Sequence, residues 1–156
     1  MSANAGAPAN IVVGTDGTET ATRALDRAAA LAAALGAKLH VVTAYSERPS
    51  GVPSASVVSI DAGWAAGARS TAEKVVAEAE ARVRDAGVTE VSGEAVAGDP
   101  AEVLLRTSAD RGADLLVVGS KGMQSTARFL LGPIANKVSR RVACDLLIVE
   151  TSSEHG

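Results

Sequence analysis

Along this chain, apolar residues switch repeatedly between short unbroken runs and segments in which they recur every three or four positions, the pattern of βαβ units. "NIVVGTD" (10–16) reads as a strand entering a turn, with Thr18 placed to cap the next helix. In that helix Leu25, Ala28, Ala32 and Leu35 share one face, and Gly36 stands where a left-handed terminator belongs. "AKLHVVTAY" (37–45) is a second strand. The segment 46–62, with Pro49, Gly51, Pro53 and several serines, is too long for a minimal connection and reads as a surface loop. Residues 63–86 repeat apolar positions at Ala68, Ala72, Val75, Ala79 and Val83, and Gly87 stops that helix.

The third strand lies within "VTEVSGEAVAG" (88–98), and its polarity suits a sheet edge. Asp99, Pro100 and Glu102 mark a helix start by capping side chain, first-turn proline and acidic charge at the positive end. That helix ends near Gly112; "ADLLVVGS" (113–120) is the most apolar strand and therefore central. A helix over 134–143 and a strand over 145–151 complete the order.

Five strands and four helices predict an α/β fold: one open parallel five-stranded sheet, Rossmann-like, with helices on both faces. In the order 3-2-1-4-5, the loops after the first and fourth strands open into one crevice, where the winding reverses. Glycine and polar residues concentrate in those two loops, which favours that order. A chain of 156 residues supports a single core. The expected domain spans 10–151, between a disordered N-terminus (1–9) and a disordered C-terminus (152–156).

The chain is 47% hydrophobic, with one Phe, one Tyr and one Trp, so its core is built from small aliphatics. A net charge of -3 without a basic stripe argues against nucleic acid as a partner, and no run of eighteen apolar residues suggests a membrane span. The single cysteine, Cys144, allows no internal disulfide, and with no leader-like opening the expected compartment is the cytoplasm.

The candidate chemistry lies in "GSKGMQSTARFLLGPIANK" (119–137). Gly119, Gly122 and Gly132 permit close approach, and the last opens a helix whose unpaired amides suit an anion. Ser120, Ser125 and Thr126 add neutral donors, Lys121 and Arg128 add positive charge, and 119–132 contains no acidic residue. There is no Gly-Lys-Ser/Thr ending as in a P-loop, and "GTDGTE" lacks the third glycine of a dinucleotide fold. His40 lies inside a strand and His155 in the tail, so packing or solvent accounts for each. Cys144 reads as a small hydrophobe, and Arg140 and Arg141 suit the negative end of their helix. Asp16 is the one acid placed to assist a metal, so no catalytic residue is assigned and any turnover is expected to be slow.

Gly119-Ser-Lys-Gly122, nine residues, then Gly132 resembles the nucleotide motif of the universal stress protein family. "IVVGTDGTETATRALDRA", "VAGDPAEVLL" and "RRVACDLLIV" extend the likeness over essentially the whole chain. The resemblance implies adenine-nucleotide binding (ATP, AMP or cyclic AMP, with Mg if ATP) and homodimerisation through the last strand, Asp145 to Thr151. It assigns Asp16 to the ribose hydroxyls, Gly14 and Thr15 to the base, and backbone groups of Ala44 to adenine. Val118, Gly119, Lys121 and Gly122 would follow the sugar and inner phosphates, and Gly132, Pro133 and Ile134 would reach the outer ones.

This sequence departs from the motif at Pro133, where ATP-holding members carry Ser or Thr, and at Asp145, where proline is usual. Proline offers neither hydroxyl nor N–H to the outer phosphate, so the ATP grip is expected to be weak. The role implied is a regulatory, stress-response module acting on a protein partner that the sequence does not name. The alternatives are a slow ATPase or autophosphorylating protein, and a nucleotide-free interaction module.

Overall fold

The computed structural model describes residues 6–47, 62–120 and 131–151. In chain order the elements are β1 (Asn10–Gly14), α1 (Glu19–Leu35), β2 (Lys38–Tyr45), α2 (Ala62–Asp85), β3 (Val91–Ala97), α3 (Pro100–Asp110), β4 (Leu115–Gly119), α4 (Pro133–Arg141) and β5 (Asp145–Val149). All strand pairs are parallel, and the sheet order is β3-β2-β1-β4-β5. The polar third strand is at one edge, and the apolar fourth lies inside, as expected.

Alternation along each strand divides the core in two. Ile11, Val13, Leu39, Val41 and Val117 face α1 and α2, while Val12, Val42, Leu116 and Val118 face α3 and α4. Strands buried on both faces read as continuous apolar runs, which is why their limits are blurred in the sequence. Alanines at 24, 28, 29 and 32 bring α1 close onto the sheet without large side chains.

Local signals set most element ends. Thr18 Oγ1 accepts from Ala21 N at 3.2 Å, and Gly36 closes α1 in the left-handed conformation, with φ +67°. Asp99 caps α3 through Glu102 N at 3.1 Å, with Pro100 at its start.

β1 ends at Gly14, with Thr15 and Asp16 in the turn that was expected to follow it, whereas β4 begins only at Leu115, two residues later than the sequence expectation. Asp114 instead accepts from Ala9 N and Asn10 N, both at 2.9 Å. In α2 the buried positions are Ala72, Val76, Ala79 and Val83, with Val76 in place of the expected Val75; Ala68 and Val75 are half-buried, and Val75 packs on Gly17. Residues 1–5 and 152–156 of the expected disordered termini lie outside the described residues. Ala9 is held by Lys38 N on its carbonyl at 2.9 Å.

Candidate functional site

β1 and β4 are neighbours at the point where the winding of the sheet reverses. A crevice of about 340 Å³ opens at the C-terminal ends of these two strands. Its apolar walls come from Val42 and Ala44 on β2, Val118 on β4, and Val103 and Leu104 on α3. Thr15, Asp16, Thr18 and Thr20 form one polar rim, and Ser120 with Gly132, Pro133 and Ile134 forms the other.

The first rim is rigidly built. Thr15 N donates to Val42 O at 3.0 Å, and Thr43 Oγ1 donates to Thr15 O at 2.8 Å. Gly17 then turns the chain with φ +83°, its N–H donating to Thr15 Oγ1 at 3.1 Å. Asp16 Oδ1 accepts from Thr18 N at 3.0 Å and Thr18 Oγ1 at 2.6 Å. Asp16 is therefore an Asx-type turn residue. Its Oδ2 has no partner among the described residues, so turn formation leaves that oxygen for a ligand.

At the other rim, Gly132 N donates to Ser120 O at 2.7 Å, so this amide is not offered to an anion. Pro133 has no N–H, and among the described residues no side chain caps α4. The amides of Ile134 and Ala135 are the donors that remain at this helix start. Ser120 Oγ donates to Glu150 Oε1 at 3.0 Å and accepts from Thr151 N at 3.1 Å, so its hydroxyl ties β4 to the end of β5. Glu150, remote in sequence, is thereby brought against Ser120, although 119–132 itself contains no acid.

Two glycines of the site have packing reasons. A Cβ at Gly14 would lie 2.6 Å from Leu104 Cδ2, and one at Gly119 would lie 2.9 Å from Thr151 Cγ2. Thr151 is fully buried, which leaves it no room to retreat.

Thus Gly14, Thr15, Asp16, Ala44, Val118, Gly119, Ser120, Gly132, Pro133 and Ile134 converge on one crevice. Lys121, Gly122 and Arg128 lie outside the described residues. Sequence reasoning missed the α3 wall, Pro100, Val103 and Leu104, and the α1 start, Thr20 and Ala21. Leu104 was detectable only as part of the apolar face of its helix.

An ionic brace joins α3 to α4. Arg141 Nη1 and Lys137 Nζ reach Glu102 Oε2 at 2.5 and 2.9 Å, and Lys137 also reaches Asp99 at 3.4 Å. The Arg141 hydrogen bond, then that of Lys137, lowers the Glu102 carboxyl to about 2. Remote from the crevice, buried His40 bonds Ser92 Oγ at 2.7 Å and Glu94 Oε2 at 2.8 Å, a satisfied packing histidine. Burial lowers its pKa, against the opposing pull of Glu94. Cys144 is half-buried, and burial pushes its thiol up. Among the described residues no group of three His, Cys, Asp or Glu is placed to hold a metal ion, and no helix is long and apolar enough to cross a membrane.

Together the sheet order and the crevice at its reversal define a Rossmann-like α/β protein. The chain belongs to the universal stress protein family, whose model matches residues 9–150. It is 35% identical over 142 residues to universal stress protein Rv1636 of Mycobacterium tuberculosis, covering 91% of this chain and 96% of that one. A crystal structure of a universal stress protein in complex with cAMP superposes with TM-score 0.72 at 35% identity, over 93% of this chain and 98% of that one. The universal stress protein of Archaeoglobus fulgidus in complex with dAMP shares the fold, with TM-score 0.65 at 20% identity over 90% and 97% of the two chains.

Proposed function

We propose that this protein is a regulatory universal stress protein that binds an adenine nucleotide in the crevice between β1 and β4, with little preference for ATP. The observation that carries this reading is the pairing of apolar walls, Val42, Ala44, Leu104 and Val118, with two amides at the start of α4 that no side chain caps among the described residues. A purine ring suits the walls, and one phosphate suits the amides and the positive helix end. Asp16 Oδ2 suits ribose hydroxyls, since an ionised carboxylate accepts charge-assisted bonds. The relative of 35% identity solved with cAMP supports a ligand with a single phosphate.

Pro133 removes the hydroxyl and the amide that would grip an outer phosphate. Each lost charge-assisted bond is worth about 1.5–3 kcal/mol, so ATP should bind at least tenfold less tightly than with serine there. Calorimetric titration of the wild type and Pro133→Ser with ATP, ADP, AMP and cAMP tests this: the variant should gain affinity for ATP far more than for cAMP. Equal gains for all four would refute the role given to Pro133, and no binding of any would refute the nucleotide reading. β5, which pairs on one side only among the described residues, is the expected homodimer surface, and the cytoplasm the expected compartment.

A further inference from the structure

We infer that Thr43, a buried residue outside the lining of the crevice, is the positioning residue for Asp16, and that through it the site selects ligands with free ribose hydroxyls. This deepens the nucleotide reading of the crevice and rests on it. Position 43 follows Leu39 and Val41 on the face of β2 turned to α1 and α2, where the alternation calls for an apolar residue. The threonine there is only 4% exposed. A hydroxyl so deeply buried needs a partner, and it finds one outside its own strand: Oγ1 donates to Thr15 O at 2.8 Å, across 28 positions of sequence.

The bond falls where strand pairing stops. β1 and β2 pair in register from Asn10 with Lys38 to Gly14 with Val42, and Thr15 N donates to Val42 O at 3.0 Å just beyond. The Thr15 carbonyl belongs to the peptide unit that leads into Asp16, and the Thr43 hydroxyl holds it. Both peptide planes that flank Thr15 are thus tied to β2, and because a peptide unit is planar and stiff, the Asp16 Cα is fixed with them. Thr18 N and Thr18 Oγ1 then hold Asp16 Oδ1 at 3.0 and 2.6 Å, which orients the carboxylate at the crevice rim and leaves Oδ2 to accept. Without the Thr43 hydroxyl, the second plane loses its tie to β2. Hydrogen bonds weaken steeply with misalignment, so an acceptor that drifts loses its bonds to ribose hydroxyls first. The walls for the base and the amides for a phosphate come from other elements, β2, β4, α3 and α4, and stay in place.

Thr43→Val keeps the shape of the side chain and removes the hydroxyl, whereas Thr43→Ser keeps the hydroxyl and removes a methyl. Calorimetric titration of both variants and the wild type uses two ligand pairs, AMP with 2′,3′-dideoxy-AMP and cAMP with 2′-deoxy-cAMP. The members of each pair differ only in free ribose hydroxyls. The wild type should prefer the hydroxylated member by about tenfold, the worth of a bond to a charged acceptor. Thr43→Val should lose most of that preference by weakening the hydroxylated ligands alone, and Thr43→Ser should retain it. Four results would each overturn the inference with the nucleotide site intact: a wild type indifferent to the hydroxyls, a Thr43→Val protein as selective as wild type, equal losses for both members of a pair, or a serine that fails to rescue. Failure of the wild type to bind any of the ligands would instead overturn the reading of the crevice itself. Unfolding midpoints measured without ligand establish that the variants are folded. If valine unfolds the protein, Thr43→Ala, which also lacks the hydroxyl, takes its place with the same expected outcomes.

Discussion

Gly14 lies under Leu104, and this contact gives a sharp test of why the position is glycine. An alanine Cβ there would lie 2.6 Å from Leu104 Cδ2 and 3.2 Å from Cδ1. Carbon atoms rest at about 3.5–4.0 Å, so the overlap is about 1 Å. The backbone at Gly14 does not have positive φ, so the penalty is steric and not conformational. Such overpacking costs about 1–3 kcal/mol. Leu104 is only 6% exposed, and truncating it to alanine costs about 2–5 kcal/mol. It also removes both atoms that Gly14→Ala would strike, so the second substitution should then be nearly neutral.

The double-mutant cycle therefore predicts a coupling of about 1–3 kcal/mol, with the pair less destabilised than the sum. Urea unfolding of the four proteins, followed by circular dichroism, measures it; Leu104→Val, which also lacks Cδ atoms, is a milder substitute. Because Leu104 walls the crevice, Gly14→Ala should push it inward and weaken nucleotide binding, and Leu104→Ala should restore that binding. If Gly14→Ala costs the same in both backgrounds, the glycine does not answer to Leu104 and the reasoning is wrong.

Two further predictions concern pH. His40 has its pKa lowered from 6.5 in the folded state, so its contribution to stability is full above 6.5 and is lost as pH falls below that value toward the folded pKa. The stability of the wild type should therefore decline over this range more steeply than that of His40→Gln; parallel curves would contradict the burial argument. Glu102, lowered from 4.5 to about 2, contributes stability above 4.5 that is lost as pH falls through 2. The melting temperatures of wild type and Glu102→Gln should differ at neutral pH and converge near pH 2, with the neutral-pH difference reduced by salt. A difference unaffected by either condition would remove the ionic brace as its cause.

Much of the site was legible before its geometry was known, because caps, turns and alternating apolar runs are written within a few neighbouring residues. Thr18, Gly36, Asp99 and Pro100 perform the local roles their chemistry dictates, and Gly14, Gly119 and Gly132 line one crevice. Strand limits were less legible, since β1 and β4 are buried on both faces and their apolar runs carry no marker of where pairing stops. Asp114 illustrates this: it follows the pattern of a strand start but binds the amides of Ala9 and Asn10.

What the sequence alone determined is the layered α/β plan, because period and capping depend on the local backbone. Tertiary structure alone decided what each residue of the site is free to do. Gly14 answers to Leu104 and Gly119 to Thr151, Ser120 is bound to Glu150, and the Gly132 amide is taken by Ser120. These contacts join segments that are distant along the chain, and only the packing of strands and helices brings them within bonding distance. The same packing sets the Glu150 carboxylate against Ser120, although the stretch from 119 to 132 itself includes no acid.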